Sequence, residues 1–391
     1  MKILVFNYEY PPIGGGGGVI CKDISEELAL NGNDVTVITS SYKDLKQFEI
    51  INDVKVIRVK VVNRNKQDVA SLTSMFSYLP ASISKAKEIL TNNKFDIINT
   101  HFAVPTGPAG QFISKKFHIP NVLSIHGGDI YDPSKSLSPH KTPLLKQIVK
   151  KTLEKADTVV AQSSDTKKNA QGFYNIKRDI EVIPLGIKPN KFSTVGRSTL
   201  GISEGKLILC TVGRLVRRKN LTELISIFNE IKNQIPSELL IIGDGPEMQN
   251  LKNLTGELNL NDDIKFLGRV SEEEKFQYLS ASDIYVSTAM HEGFGIVFLE
   301  AMECSLPVIC YDKGGQVDFL KDGITGYLIK HGDKEKFKQK LLGLACDKNK
   351  IKRIGSENKS YVRNFYIRNI ANQYLSLFNR VINNYNTNKL K

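Results

Sequence analysis

The sequence predicts a parallel α/β protein built from two open sheets. Three observations carry this expectation. Short apolar runs alternate with helix-like stretches along the chain, the pattern left by strand–helix–strand units. The alternation pauses in LGIKPNKF, the glycine- and proline-containing stretch that follows Pro184, and restarts near residue 205. The chain has 391 residues, enough for two or three domains of about 150 residues each.

In the first half, strands are expected at KILVF (2–6), DVTVIT (34–39), VKVIRVKV (54–61), FDIINT (95–100), NVLSIH (121–126), DTVVAQ (157–162) and IEVIPL (180–185). In the second they fall at KLILCTVG (206–213), ELLIIGDG (238–245), IKFLGRV (264–270), DIYVST (283–288) and LPVICY (306–311). Near the C-terminus, YVRNFYIRNIANQYLSLFNRVINNY places Phe365, Ile370, Tyr374, Leu375, Phe378 and Ile382 at roughly helical spacing. That spacing predicts one long amphipathic helix with a frayed Asn/Lys tail. The run LTSMFSYLPASI (72–83), followed by Lys85 and Lys87, reads as a partly buried helix packing on its own domain. Contact with a lipid-linked acceptor is the other reading of that run.

Composition narrows the function. Hydrophobic residues make up 41% and charged residues 24%, an ordinary balance for a soluble globular chain. No apolar run approaches the roughly 18 residues that a membrane span needs. The apolar stretch ILVF after Lys2 is too short for a signal-peptide core, so the expectation is a cytoplasmic protein. The five cysteines are scattered without a Cys-x-x-Cys pair, which favours reduced thiols over a disulfide framework or a zinc site. The net charge is +13, divided as 24 basic against 18 acidic residues in 1–187 and 30 against 23 in 188–391. So even a spread disfavours a dedicated nucleic-acid face. It suits anionic small substrates, or loose attraction to an anionic membrane surface.

Four stretches carry candidate chemistry. YPPIGGGGGVICKDISEELALNG (10–32) follows the first strand and opens a helix, a place where backbone N–H groups and a helix dipole meet phosphate. Five consecutive glycines are entropically expensive without a use. TVGRLVRRKNL (211–221) puts Arg214 and Lys219, with Arg217 and Arg218 between them, at the carboxyl end of a strand. Ligands bind there in open α/β sheets, and these cations suit phosphate. HEGFGIVFLEAMECS reads as a loop running into a helix, with Glu292 and Glu300 eight residues apart. An ideal helix rises about 12 Å over that interval, roughly the span from a sugar across a diphosphate to a ribose. Finally, SIHGGDIYD (124–132) places His126 at a strand end and Asp129 in the loop beyond.

The third stretch, together with GRLVRRKN (213–220), IIGDGPE (241–247), FLGRV (266–270) and GGQVDFLKDGITGYLI (314–329), resembles glycosyltransferase family 4, the retaining group 1 transferases of the GT-B fold. Glu292 and Glu300 match that family's Glu-x7-Glu signature. The resemblance implies two Rossmann-like domains, 1–188 with the C-terminal helix 366–391 crossing back to it, and 189–365, their parallel sheets facing across a donor cleft. It implies Glu300 on the ribose hydroxyls and Arg214 with Lys219 on the diphosphate. Glu292 would hold the donor-sugar hydroxyls beside the Gly293, Phe294 and Gly295 backbone, with Ile296 and Val297 at the helix start. His126 would approach the transferring sugar, the loop at Gly16 and Gly17 would close over the phosphates, and Phe266, Leu267 and Gly268 would contact the base.

The implied donor is a UDP- or GDP-linked sugar and the acceptor a saccharide or a lipid-linked molecule. Cell-surface polysaccharide or glycolipid assembly is the implied setting, with peripheral contact at the cytoplasmic membrane face and no nucleic-acid partner. No cofactor and no metal are expected, because Asp-x-Asp occurs nowhere in the chain and Arg214 and Lys219 already supply positive charge. The rival readings are a nucleotide-sugar-binding protein, an epimerase on the same fold, and a dinucleotide oxidoreductase. The last lacks its Gly-x-Gly-x-x-Gly fingerprint: counted from Gly14 and Gly16, the final glycine falls on Val19.

Overall fold

A computed structural model describes residues 1–65, 67, 70–133 and 138–389. The chain forms two compact units, Met1–Gly186 with Ile367–Lys391, and Ile187–Tyr366. The first contains β1 (Lys2–Phe6), α1 (Gly16–Leu30), β2 (Asp34–Ser40), β3 (Phe48–Ile51), β4 (Val54–Val59), α2 (Leu72–Asn92) and β5 (Ile97–His101). It continues through α3 (Gly107–Phe117), β6 (Asn121–Ile125), α4 (Pro143–Lys155), β7 (Thr158–Ala161), α5 (Ser164–Tyr174) and β8 (Glu181–Val182). The second unit contains β9 (Leu207–Val212), α6 (Leu221–Lys232), β10 (Ser237–Ile242), α7 (Met248–Glu257), β11 (Ile264–Gly268), α8 (Glu272–Ser280) and β12 (Ile284–Ser287). It closes with α9 (Ile296–Glu303), β13 (Val308–Tyr311), β14 (Gly326–Ile329), α10 (Lys334–Ala345) and α11 (Lys348–Tyr361), and α12 (Ile367–Lys389) returns to the first unit.

Among the described residues the first sheet has eight strands in the order β3-β4-β2-β1-β5-β6-β7-β8, and the second has six in the order β11-β10-β9-β12-β13-β14. All pairings are parallel except β3 with β4. In both sheets the chain first winds outward in one direction and then returns to build in the other. The reversal falls between β1 and β5 in the first sheet and between β9 and β12 in the second. A parallel sheet is covered on both faces, so its strands are apolar throughout rather than alternating, and β10 is buried at every position. At a reversal, neighbouring connections leave on opposite faces and open a crevice at the carboxyl edge.

The structure departs from the expected elements in several places. FEII (48–51) forms the antiparallel edge strand β3. Its exposed Phe48 and Ile50 gave no buried run to recognise. GYLI (326–329) adds a sixth strand, admitted because a Cβ on Gly326 would sit 1.9 Å from the Val308 carbonyl oxygen. IEVIPL is reduced to Glu181–Val182, and ELLIIGDG stops at Ile242, since Gly243 has a φ of +131°.

The long C-terminal helix does not begin near 361. Val362–Phe365 is a single 3-10 turn, Tyr366 is extended, and α12 starts at Ile367. Tyr366 pairs instead with Ile187. The buried stripe of α12 uses Ile370, Tyr374, Leu377, Phe378 and Val381, so Leu375 and Ile382 lie off its centre. The stripe packs on α1, and the Tyr374 hydroxyl lies 3.2 Å from Ser124 Oγ on β6. The final two residues of the expected tail fall outside the described residues.

Candidate functional site

At the carboxyl edge of the second sheet, three strand ends are drawn together by glycine. A Cβ on Gly243 would stand 2.0 Å from the Gly213 carbonyl oxygen, so no larger residue fits where β9 and β10 end. The loop after β9 then makes one 3-10 turn, Arg217–Lys219, ended by Asn220 at a φ of +51°. That turn folds Lys219 back over Gly213, where a Cβ would lie 3.1 Å from Nζ. Lys219 Nζ donates to Oε1 of Glu292, in the loop after β12. Arg218 Nη1 donates to Glu292 Oε2 at 3.2 Å and to the His291 carbonyl at 2.9 Å.

Glu292 is 5% exposed, and its carbonyl accepts from the Gly315 N–H at 2.7 Å. Burial pushes its carboxyl up, but Lys219 and Arg218 together outweigh burial and hold it below the usual carboxylate value. Arg214 is exposed, and its guanidinium makes no hydrogen bond or ion pair with the described residues. Two cations therefore hold one carboxylate, and Arg214 on the same loop adds positive charge that no acid among the described residues pairs.

The helix that follows begins with Gly295 as its N-cap, at a φ of +88°, with neither a capping side chain nor an acid in its first turn. The N–H groups of Ile296 and Val297 are claimed by no described residue. Such a start is a ready anion seat. Phe294 is only 2% exposed and packs on Phe319 at 4.9 Å between ring centres, so its side chain anchors the loop and only its backbone, with Gly293 and Gly295, can line a site.

Glu300, one turn and more along α9, receives Lys275 Nζ on Oε1 at 2.9 Å, while Oε2 is buried without a partner. Burial raises the Glu300 carboxyl, and Lys275 only partly opposes this. On β11, Phe266 packs against the core, and Gly268 has a φ of +67°; alternation puts the Leu267 side chain on the other face.

The carboxyl edge of the first sheet is built differently. Gly15 caps α1, again without a capping side chain or an early acid, and the N–H groups of Gly16 and Gly17 are claimed by no described residue. Within the glycine run the fold itself requires Gly14, at a φ of +93°, Gly17, whose Cβ would meet the Phe102 ring at 2.4 Å, and Gly18, whose Cβ would meet the Glu9 carbonyl oxygen at 2.6 Å. Gly16 has open space around it. The Glu9 carboxylate accepts the Gly15 N–H at 3.1 Å, so one acid does stand beside this helix start.

His126 follows β6, and Asp129 fixes it by accepting the His126 N–H at 2.9 Å and the Ala103 N–H at 2.6 Å. Asn99 Nδ2 donates to the Val122 carbonyl, which leaves Oδ1 to accept from His101 Nε2 at 2.8 Å. His101 Nδ1 is then bare and accepts from His126 Nε2 at 2.9 Å. The relay ends in His126 Nδ1, a buried acceptor without a partner. Burial lowers the His126 imidazole to about 4 and His101 well below its usual value, so both are neutral near pH 7.

Each expected site residue thus lies at a carboxyl edge or on a helix that starts there. Glu292, Lys219 and Glu300 acquire partners that the sequence reading did not foresee. Arg218 turns inward to Glu292, whereas its neighbour Arg217 stays exposed. Lys275 has no loop motif to mark it and meets Glu300 only through tertiary packing. His101 ends β5 one residue beyond the expected strand, and the strand-end argument used for His126 applies to it equally. Among the described residues, no group of three or more His, Cys, Asp or Glu is placed to hold a metal ion, and no helix is long and apolar enough to cross a membrane.

Residues 194–361 match the family model of the group 1 glycosyl transferases, and residues 14–191 match that of glycosyltransferase family 4. An uncharacterized glycosyltransferase of Methanocaldococcus jannaschii is 30% identical over 84% of this chain and 85% of its own. The N-acetyl-alpha-D-glucosaminyl L-malate synthase of Bacillus anthracis is 27% identical over 98% of each chain. Among solved structures, sucrose-phosphate synthase from Thermosynechococcus elongatus superposes with a TM-score of 0.84 at 23% identity, covering 97% of this chain and 98% of that one. Anabaena HepE in complex with UDP-glucose does so at 0.75 and 20% identity, covering 97% and 100%.

Proposed function

The chain belongs to glycosyltransferase family 4, the group 1 transferases of the GT-B fold, and from that membership we propose that it moves a sugar, with retention, from a UDP- or GDP-linked donor to a saccharide or lipid-linked acceptor. The observation that carries this reading is the Arg218–Glu292–Lys219 cluster, with unpaired Arg214 on the same loop and the bare start of α9 after Glu292.

In the proposed reaction the bond between the sugar's anomeric carbon and the diphosphate breaks, and the electron pair leaves on phosphate. Arg214, the two remaining N–H donors of Lys219 and the N–H groups of Ile296 and Val297 stabilise that growing charge. The acceptor hydroxyl attacks the same face of the sugar, and its proton passes to the departing phosphate oxygen. The expectation from sequence gave Glu292 to the sugar hydroxyls. With both oxygens held by cations, its first task is to set Lys219 and Arg218. Each carboxylate oxygen keeps a second lone pair, and one of these accepts a sugar hydroxyl.

Glu300 Oε2 and His126 Nδ1 are further open acceptors. A buried acceptor without a donor costs about 1–3 kcal/mol, and a hydroxyl removes that penalty. Glu300 is assigned to the ribose and His126 to a hydroxyl of the transferred sugar. Leu267 and the backbone at Gly268 are assigned to the base, and Gly16 and Gly17 to phosphate. Anabaena HepE, captured with UDP-glucose, shows that the fold accepts such a donor in another protein. Positive charge comes from side chains in this account, so a divalent ion is not required. Cell-surface polysaccharide or glycolipid assembly, with peripheral contact at the inner membrane face, is the setting we assign.

The test is a panel of UDP- and GDP-sugars, assayed with and without acceptor in excess chelator, with the product linkage read by NMR. Donor hydrolysis and transfer with retention support the reading. An inverted linkage, activity restored only by Mg²⁺, or epimerised donor formed without acceptor would each overturn part of it.

A further inference from the structure

The second unit holds a cavity of about 490 Å3 away from these loops, at the amino edge of its sheet. Ser282 and Asp283, which lead into β12, and Leu306, which leads into β13, form one wall, and α11 forms the other. Glu292 follows the carboxyl end of β12, so the two sites lie at opposite ends of the same strand. They also lie at opposite ends of α9, whose eight residues rise about 12 Å from the Gly295 cap to Cys304 in the cavity wall.

Helix α11 is fixed firmly against this edge. A Cβ on Gly355 would stand 2.0 Å from the Ser305 carbonyl oxygen, so the helix backbone lies directly on that turn. Asn358 Nδ2 donates to the carbonyls of Leu306 and Thr325 at 2.8 and 2.9 Å. With Gly355 and Asn358 turned inward, Lys352, Ser356 and Lys359 fall on one face of α11 at spacings of four and three residues, Arg363 follows in the 3-10 turn, and all four line the cavity.

The ammonium groups of Lys352 and Lys359 make no hydrogen bond or ion pair with the described residues. They are not needed to cap α9. Ser305, at a φ of +61°, ends that helix in a left-handed turn, and the N–H groups of Ser305 and Leu306 bond the carbonyls of Met302 and Ala301, each at 3.0 Å. The only acid in the wall, Asp283, has both oxygens occupied, by Arg197 at 2.8 Å and the Ile208 N–H at 2.7 Å. Two unpaired ammonium groups and several serine hydroxyls therefore line a space whose one carboxylate is already neutralised, while Arg363 is engaged with Tyr366. Ligand pockets run from about 300 to 1,000 Å3, so this one exceeds a bare phosphate and suits a phosphate ester the size of a sugar.

We propose that this cavity is a second anion site, taking a small soluble phosphate ester whose phosphate sits between Lys352 and Lys359 and whose hydroxyls meet the serines. It does not depend on the donor assignment above. Glucose 6-phosphate is the probe, titrated calorimetrically into the full-length protein, with glucose as the uncharged control. Binding of the ester but not of glucose is expected. The double variant Lys352→Glu/Lys359→Glu should weaken it at least tenfold with its melting temperature in the absence of ligand unchanged, and Arg214→Ala should leave it as it was. Absence of binding, binding indifferent to the double variant, or binding lost in Arg214→Ala would overturn the proposal.

Discussion

At the carboxyl edge of the first sheet two buried histidines are neutral, whereas at that of the second Glu292 is held ionised by two cations. The topology of the two edges is the same: a strand at the reversal, a glycine-capped helix after it, and a loop from the neighbouring strand. The chemistry differs because burial acts on different side chains. The buried Asp129 accepts backbone N–H groups of His126 and Ala103, and desolvation keeps both rings neutral and turns them into a hydrogen-bond relay. Around Glu292, two cations arrive from the β9 loop and reverse the effect of burial. One backbone plan therefore yields a neutral, open acceptor in one unit and a charge cluster in the other.

Breaking the charged edge should have the largest effect. Lys219→Ala and Arg214→Ala are each expected to lower kcat/KM by about 10²-fold or more, the scale of one lost partner to transition-state charge. Arg217→Ala should stay within a few-fold. Glu292→Gln should remove transfer, and it should also cost about 1–3 kcal/mol in urea unfolding, because Lys219 and Arg218 lose their shared partner. Equal losses from Arg214, Arg217, Arg218 and Lys219 would replace a defined cluster with a diffuse basic patch.

Acid should separate the two edges. The folded value of His126, about 4, lies below its ordinary 6.5, so the unfolded chain takes up the proton first. Stability should then fall as the pH drops from 6.5 towards 4, by about 3 kcal/mol for this one ring. Glu292 is depressed as well, and its contribution is present above the ordinary carboxylate value and lost only as the pH falls through its lower folded one. His126→Gln should make the upper window shallower, leaving the share of His101, and leave the lower one intact. An unchanged pH profile would contradict the neutral relay.

Smaller effects follow from single contacts. Glu300→Gln should raise the donor KM about tenfold with kcat nearly unchanged, since a ribose contact persists through the reaction. Gly16→Ala meets open space in an ordinary backbone conformation, so stability should hold or rise by up to about 1 kcal/mol. A loss of activity there without a loss of stability would locate ligand at this helix start.

Much of the fold was legible because parallel strands covered on both faces read as unbroken apolar runs, as in β9 and β10. The edge strand β3 was not, since half of its side chains face solvent. The break at Tyr366 was hidden because a helical period continues on either side of it. In the charged site, Glu292, Lys219 and Arg214 stand out as ionisable residues beside glycines at strand ends. Arg218 did not, because its neighbours in the Arg-Arg-Lys run look identical until one 3-10 turn points each a different way. Lys275 joins Glu300 from another helix, a contact that no local spacing announces.

The central claim is that protein cations, rather than the base, hold the donor through its diphosphate. Calorimetric titration of UDP and GDP against uridine and guanosine, in excess chelator, tests it directly. The preferred diphosphate should bind at least 100-fold more tightly than its nucleoside, the scale of two or more charge-assisted contacts, and Arg214→Ala should close most of that gap. Equal affinity for nucleoside and diphosphate, or a gap untouched by Arg214→Ala, would contradict it.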